Sequence, residues 1–355
     1  MLQVRRWSGF LALGLLLVSC RDGSDPVSPT LATRVDQGAQ GSREQAARWF
    51  EAASPEALAV PGAVYADLRE ESNRLEFGVL HLGAEAAVRA ATRRLGIPDD
   101  AVTVVLAEPI VQMVSLRDKW RPTQGGIQIH FGQYLCTMGF NADDGTQRSF
   151  ITNSHCTSKQ GGVQGTKYYQ PTSTVDPTVI ATEAEDPTYF KGGVCPRGRR
   201  CRYSDAARAL YSSGTSSSRG IIAKTSGPNN GSLNVTGNFT ITSQDNTTTS
   251  FGIGTTVNKV GRTTGWTQGN VTQTCVNVNV SGSTITQLCQ SIVQNPGGAV
   301  VIGGGDSGSQ MFQITSGDNV TLVGIAWGGN SSGTMLVFSP FKQIQQELGS
   351  LVATQ

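Results

Sequence analysis

From about residue 120 onward, apolar and polar residues alternate over short runs. The runs are Gly126 to Phe131, Leu135 to Phe140, Ser149 to Thr152, Ser232 to Thr242, Asn270 to Val280, Leu322 to Trp327 and Met335 to Phe338. Successive strand side chains point to opposite faces, so each run predicts a strand with one buried face. Turn residues separate the runs, as in an antiparallel sandwich or barrel. The stretch 212–250 is rich in Ser, Thr, Gly and Asn, yet Leu233, Val235, Phe239 and Ile241 keep the period of two. It predicts strands joined by long polar turns. Residues 119–355 suit two packed six-stranded antiparallel barrels better than one. Pro340 to Leu348 predicts a single closing helix, with Ser339 as N-cap and Pro340 at its first position.

The pattern differs before residue 119. Ser42 to about Ala53 predicts a helix, with Ser42 and Gln45 at capping-box spacing. Ala63 to Leu68 and Leu75 to Leu82 predict strands. Ala84 to Leu95 predicts a helix ended by Gly96, with Pro98 beyond, and Ala101 to Glu108 a further strand. Residues 41–118 therefore predict a small α+β domain, and no motif in it carries chemistry. His81 has no partner in sequence and is expected to be structural. Residues 20–40 lack periodicity and are rich in Ser, Pro, Asp, Gly and Gln, as in a flexible tether. Residues 1–19 read as a signal peptide, with basic Arg5 and Arg6 before a short apolar core from Phe10 to Val18. Leu17-Val18-Ser19-Cys20 looks like a bacterial lipobox, which would make Cys20 the lipidated first mature residue. The alternative is an ordinary signal peptide cut nearby. Either reading places the protein in a bacterial cell envelope, lipid-anchored or secreted.

Export changes how the cysteines read. Beyond Cys20 there are six: Cys136, Cys156, Cys195, Cys201, Cys275 and Cys289. Sequence alone leaves about 15 pairings open. An even set in an exported chain points to disulfides, and the six fall into three neighbouring pairs. The other reading, a metal site, lacks a histidine near Cys195 and Cys201 or near Cys275 and Cys289. Charge adds an asymmetry: residues 21–118 hold 10 Lys+Arg and 15 Asp+Glu, net −5, and residues 119–355 hold 16 and 11, net +5. Opposite signs favour attraction between the halves. The basic run Arg197-Gly198-Arg199-Arg200-Cys201-Arg202 lacks interleaved aromatics, so it predicts a solvated disulfide loop and no nucleic-acid partner.

The chemistry concentrates in three segments. Gly303-Gly304-Gly305-Asp306-Ser307-Gly308-Ser309 sets one serine in a glycine-rich turn. Acyl transfer at serine needs a nucleophile, a base and N–H donors for the oxyanion. Upstream lie Thr152-Asn153-Ser154-His155-Cys156 and Tyr203-Ser204-Asp205-Ala206-Ala207. Asp176 and Asp186 compete for the acid role but sit in Pro-containing turns. Apolar sequence after Asp205 would bury its carboxylate.

With Gly261-Arg262-Thr263-Thr264-Gly265, these motifs make residues 119–355 resemble a chymotrypsin-family serine protease of the bacterial α-lytic protease and streptogrisin type. Residues 62–116 more loosely resemble the pro-regions that precede such enzymes. The resemblance implies a serine endopeptidase without metal or organic cofactor, acting on protein or peptide substrates. It implies Ser307 as nucleophile, His155 as general base and acid, and Asp205 as its orienting carboxylate. Gly305 and Ser307 N–H groups would form the oxyanion hole. It also implies a Cys136–Cys156 bridge. Val301, Ile302, Gly304, Ala326, Trp327 and Gly328 correspond to the substrate-binding region. Val301 stands where trypsin-like enzymes place an acid, so apolar or small substrate side chains are expected. Ser309 and Ala326 depart from the usual glycine and serine. No Ile-Val-Gly-Gly-like terminus lies near residue 120, so an internal cation, Lys259 or Arg262, is expected to hold Asp306.

Overall fold

The computed structural model describes residues 42–355. The expected signal segment 1–19, Cys20 and the tether 20–40 lie outside the described residues. Two compact units divide between Val111 and Gln112.

The first unit contains α1 (Arg43–Leu58), β1 (Ala63–Arg69), β2 (Arg74–Val79), α2 (Glu85–Arg94) and β3 (Val102–Leu106). Ser42 Oγ accepts the Gln45 N–H at 3.2 Å, which starts α1. The helix runs past its expected end near Ala53 and holds Pro55 inside it. β2 pairs antiparallel with β1 and parallel with β3, and α2 supplies the crossover. Leu75, Phe77, Val79, Val88 and Val102 bury against Ala53 and Ala57. β2 stops short of the expected Leu82, since Leu82–Ala84 turns as a 3₁₀ segment.

The composition change near Arg117 lies later than the structural boundary. Leu116 is fully buried in the core of the second unit, and its N–H donates to Leu233 O at 3.0 Å. Val235 N–H donates to Val114 O at 2.7 Å. Residues 112–118 therefore belong to the unit that follows.

That unit opens with β4 (Thr123–Gly125), β5 (Gln128–Phe131), β6 (Tyr134–Thr137), β7 (Phe140–Asp143), β8 (Arg148–Thr152), β9 (Lys167–Tyr168), β10 (Ala181–Glu185), β11 (Arg200–Arg202) and β12 (Ala207–Tyr211). It continues with β13 (Ser217–Thr225), β14 (Val235–Gln244), β15 (Thr256–Gly261), β16 (Gly265–Asn279), β17 (Ile285–Gln294), β18 (Gln310–Ser316), β19 (Asn319–Gly329), β20 (Met335–Pro340) and α3 (Phe341–Leu348). The strands are not divided into two equal sets. β5 and β6 form a hairpin, and β7-β8-β12-β10-β9 form a five-stranded sheet. The larger sheet has ten strands, from β11 through β17, β16, β15, β18, β19, β14 and β13 to β4, with β20 pairing both β17 and β19. Within it β15 to β20 close on themselves, each antiparallel to its two neighbours in the ring. Val257, Val271, Val293, Met311, Val323, Leu336 and Phe338 form an apolar cluster from these six strands.

Two expectations need correction. Leu135 to Phe140 is not one strand: it breaks between β6, which pairs with β5, and β7, which pairs with β8, and at the break a Cβ at Gly139 would lie 2.5 Å from Gly308 O. Ser339 does not cap α3. Pro340 takes that position, and the Ser339 hydroxyl instead donates to Gln290 Oε1 at 2.7 Å and accepts the Asp205 N–H at 3.1 Å. Among the described residues no helix is long and apolar enough to cross a membrane.

Candidate active site

β8 and β12 run antiparallel with Thr152 opposite Ala207, so the segments carrying His155 and Asp205 leave the sheet at the same end. Asn153 Nδ2 and the Ser154 N–H both donate to Asp205 O, at 2.7 and 3.2 Å, tying the two turns together. His155 Nδ1 then meets Asp205 Oδ2 at 2.5 Å. A carboxylate only accepts, so Nδ1 carries the proton and Nε2 is left with its lone pair. The Asp205 side chain is 2% exposed, the His155 side chain 32%, which leaves the ring reachable from outside. Partial burial disfavours a charged ring, but the Asp205 charge and hydrogen bond outweigh it and raise the His155 pKa. Burial likewise opposes ionisation of Asp205, and His155 overcomes it, so that carboxyl is held below its ordinary range. The competitors are engaged elsewhere. Asp176 pairs with Lys119 and Arg121, each at 3.0 Å, and Asp186 with Arg202 at 2.7 Å.

The serine loop is fixed against β6. Thr137 N–H donates to Ser307 O at 2.9 Å, and Thr137 Oγ1 donates to Gly305 O at 2.9 Å. A Cβ at Gly308, φ +94°, would lie 2.2 Å from Thr137 O, which explains the glycine after the serine. Cys136, beside Thr137, is disulfide-bonded to Cys156, beside His155. One short strand thus braces both the serine loop and the histidine turn. Cys195 bonds Cys201, and Cys275 bonds Cys289.

Two peptide planes in this loop have fixed orientations. Thr263 Oγ1 donates to Gly304 O at 2.6 Å, which directs the Gly305 N–H the opposite way. Ser309 Oγ and the Ser309 N–H both donate to Asp306 O, at 2.5 and 2.9 Å, which does the same for the Ser307 N–H. Neither N–H has a protein acceptor among the described residues. Ser309, where the family pattern has glycine, therefore contributes a hydroxyl that orients a donor. Gly305 has φ +96°, and a Cβ there would press on Arg262 and Thr263. His155 Nε2 and the Ser307 hydroxyl share no hydrogen bond in this structure; such contacts commonly tighten only with substrate in place.

Asp306 is fully buried, and Lys259 Nζ lies 3.2 Å from its Oδ2 with both side chains excluded from water. Thr263 N–H, Gly303 N–H and Thr264 Oγ1 add bonds at 2.8, 2.8 and 2.6 Å. Burial opposes ionisation of Asp306, but Lys259 and these donors lower its pKa. Of the two candidate cations Lys259 makes the pair. Arg262 turns away to Gln128 Oε1 at 2.7 Å.

A cavity of about 420 Å³ opens beside Ser307. Of the expected substrate-binding residues, Ile302, Gly304 and Gly328 line it, with Val300 and Gly329. Val301, Ala326 and Trp327 do not. Val301 and Ala326 pack into the apolar cluster of the closed ring, and buried Trp327 donates through Nε1 to Gln290 Oε1 at 2.8 Å. Val300, the residue before Val301, lines the cavity in its place. No lining residue carries a charge.

Sequence reasoning missed Gln160. Its Nε2 donates to Asp205 Oδ1 at 3.3 Å and to the Tyr189 hydroxyl at 2.8 Å. Ala326 supplies no hydroxyl toward the aspartate, and Gln160 provides a donor to the oxygen that does not meet Nδ1. A lone glutamine five residues after His155 gives no signal in sequence.

No protein-family model and no curated protein matches the chain. Solved structures do show a likeness. Protease A of Thermobifida fusca is 24% identical, over 65% of this chain and 98% of that one, with a TM-score of 0.45. A glutamic acid specific serine protease is 22% identical over 65% and 100%, with a TM-score of 0.46. Nocardiopsis protease is 20% identical over 65% and 98%, with a TM-score of 0.45. Likenesses this distant leave the chemistry to be read from the residues of this chain.

Proposed function

We propose that the chain is an exported bacterial serine endopeptidase that prefers apolar or small side chains before the scissile bond. One observation carries the reading: a buried carboxylate holds His155 through Nδ1 at 2.5 Å, and Nε2 stays free to act as a base. The Ser307 hydroxyl adds to the substrate carbonyl carbon while its proton passes to His155 Nε2. The carbonyl oxygen becomes an oxyanion that accepts from the Gly305 and Ser307 N–H groups. Collapse expels the amine, which takes the proton from His155 and leaves an acyl-enzyme. Water then repeats the sequence, and the acid departs. Asp205 keeps the tautomer and offsets the charge of the imidazolium. No step calls for a metal or organic cofactor. The uncharged cavity with Val300 and Ile302 in its walls supports the apolar preference. In the same reading residues 41–111 are a pro-domain, Cys20 carries lipid, and the cleft lies between two barrel-like halves. The net charges of −5 and +5 support the pro-domain assignment.

The test is a fluorophosphonate that acylates activated serines. We expect stoichiometric labelling at Ser307, together with cleavage of peptides as well as esters. No label at Ser307 would reduce the chain to a binding protein, and ester turnover without peptide turnover would make it an esterase.

A further inference from the structure

The basic loop that sequence reads as merely solvated forms a concave surface. Two adjoining cavities, about 480 and 370 Å³, share Lys191, Gly198 and Arg199 in their walls. Lys159 and Arg200 line the first and Arg197 the second, and no acidic residue lines either. Residues 119–355 contain 16 Lys and Arg. Among the described residues seven of them pair with carboxylates: Lys119, Arg121, Arg202, Arg208, Arg219, Lys224 and Lys259. Five of the other nine gather around this one groove. Such clustering without counter-charge costs repulsion, and an anion would relieve it. A second observation agrees. Arg200 Nε is buried and has no hydrogen-bond partner among the described residues, an unsatisfied donor in a side chain that lines the groove. The Cys195–Cys201 bridge closes the loop, and Arg199 is braced by Thr286 Oγ1 and Ile285 O, so that guanidinium is held in place.

The groove adjoins the catalytic groups. Lys159 follows His155 by four residues. Tyr189, which lines the groove, is bonded through its hydroxyl to Gln160, and Gln160 to Asp205. Both guanidinium contacts of the Tyr189 ring are internal, with Arg200 and Arg202 at 5.4 and 5.3 Å, so the ring does not offer a free platform for a nucleobase. Cavities of this size take one or two side chains each.

Resting on the protease reading above, we propose that this groove is an exosite for an acidic segment of the polypeptide substrate, its Asp and Glu carboxylates bound by Lys159, Lys191, Arg197, Arg199 and Arg200. The experiment uses the full chain with Ser307→Ala, which cannot turn substrate over. Fluorescence anisotropy compares a labelled Asp/Glu-rich peptide with its Asn/Gln counterpart. We expect about tenfold tighter binding of the acidic peptide at low salt, fading at high salt as charges are screened. A combined Lys159→Gln, Lys191→Gln, Arg197→Gln variant should bring the two peptides to equal affinity. These side chains are exposed and make no internal bond, and the salt dependence of the parent chain decides the matter if the variant misfolds. Equal binding of both peptides, or an acidic preference that survives the triple substitution, would overturn the exosite. Single-stranded DNA binding as tightly as the acidic peptide would overturn its assignment to polypeptide. The proteolytic reading fails separately: if the active chain cleaves no peptide, that reading falls, and the anisotropy still decides the groove.

Discussion

Asp205 sits in a buried carboxylate site with three donors from two residues. His155 takes Oδ2, and Gln160 with the His155 N–H takes Oδ1. The charges around this pair are those of Asp205 itself, of Arg202 and of buried Asp186, with the neutral Tyr189 hydroxyl behind Gln160. A raised His155 pKa has a definite consequence. The base must be neutral to accept the Ser307 proton, so kcat/KM should fall on acidification with a midpoint above the ordinary histidine value of 6.5. A midpoint at or below 6.5 would contradict the pair geometry. Gln160→Leu removes one donor from Asp205. More negative charge then faces the imidazole, so the midpoint moves further up. Loss of a bond to a charged group costs about 1.5 kcal/mol of stability. A variant with only lowered stability and an unmoved acid limb would make Gln160 structural. His155, Asp205 and Ser307 were legible in sequence because their neighbours are constrained: glycines by φ and close approach, Cys156 by its bridge. Gln160 was not, because its partners lie 29 and 45 residues away.

At the scale of elements, β15 and the serine loop are joined by a buried ion pair. Lys259 projects from β15 to Asp306, and neither side chain reaches water. Removing one partner leaves a buried charge alone, which costs about 3–5 kcal/mol. We expect Lys259→Met to lose that much in chemical denaturation at neutral pH. The sign with pH follows from Asp306. Its folded pKa is lowered, so it contributes stability above its unfolded value of about 3.8, lost as pH falls through the folded pKa. In Lys259→Met the unpaired carboxyl protonates more readily, so the deficit should shrink on acidification. A deficit independent of pH would mean that backbone donors alone hold Asp306. Sequence named Lys259 or Arg262, with Lys259 slightly favoured from its offset to the Gly261–Gly265 motif, since both flank the same turn. Strand pairing decides: in β15 the even alternation turns Lys259 inward, while Arg262 lies past the strand end and reaches Gln128. Strand existence was legible from alternation in the same way. The Met138–Gly139 break and the loss of Ser339 as a cap were not, because each meets a partner far along the chain, Gly308 in one case and Asp205 in the other.

On the scale of the whole molecule, the charge is divided. The first 98 residues after Cys20 carry net −5 and residues 119–355 net +5. Much of the positive excess collects in the groove beside Tyr189, where no carboxylate answers it. An acidic segment encoded in the same chain as a basic catalytic unit is what a tethered inhibitor or folding aid requires, because tethering raises its local concentration to the millimolar range. Attraction between opposite net charges is long-ranged and screened by salt, whereas packing of apolar surfaces is not. This separates the two origins of any effect. We expect residues 41–111, supplied in trans to residues 112–355, to lower cleavage of a neutral apolar peptide or to raise refolding yield. We expect that effect to weaken as salt rises through the range where the screening length falls from about 30 to 3 Å. A salt-independent effect would place the interaction in apolar contacts. No effect on activity and none on refolding yield, at any salt, would remove the pro-domain from the proposed function and leave residues 41–111 as an independent module.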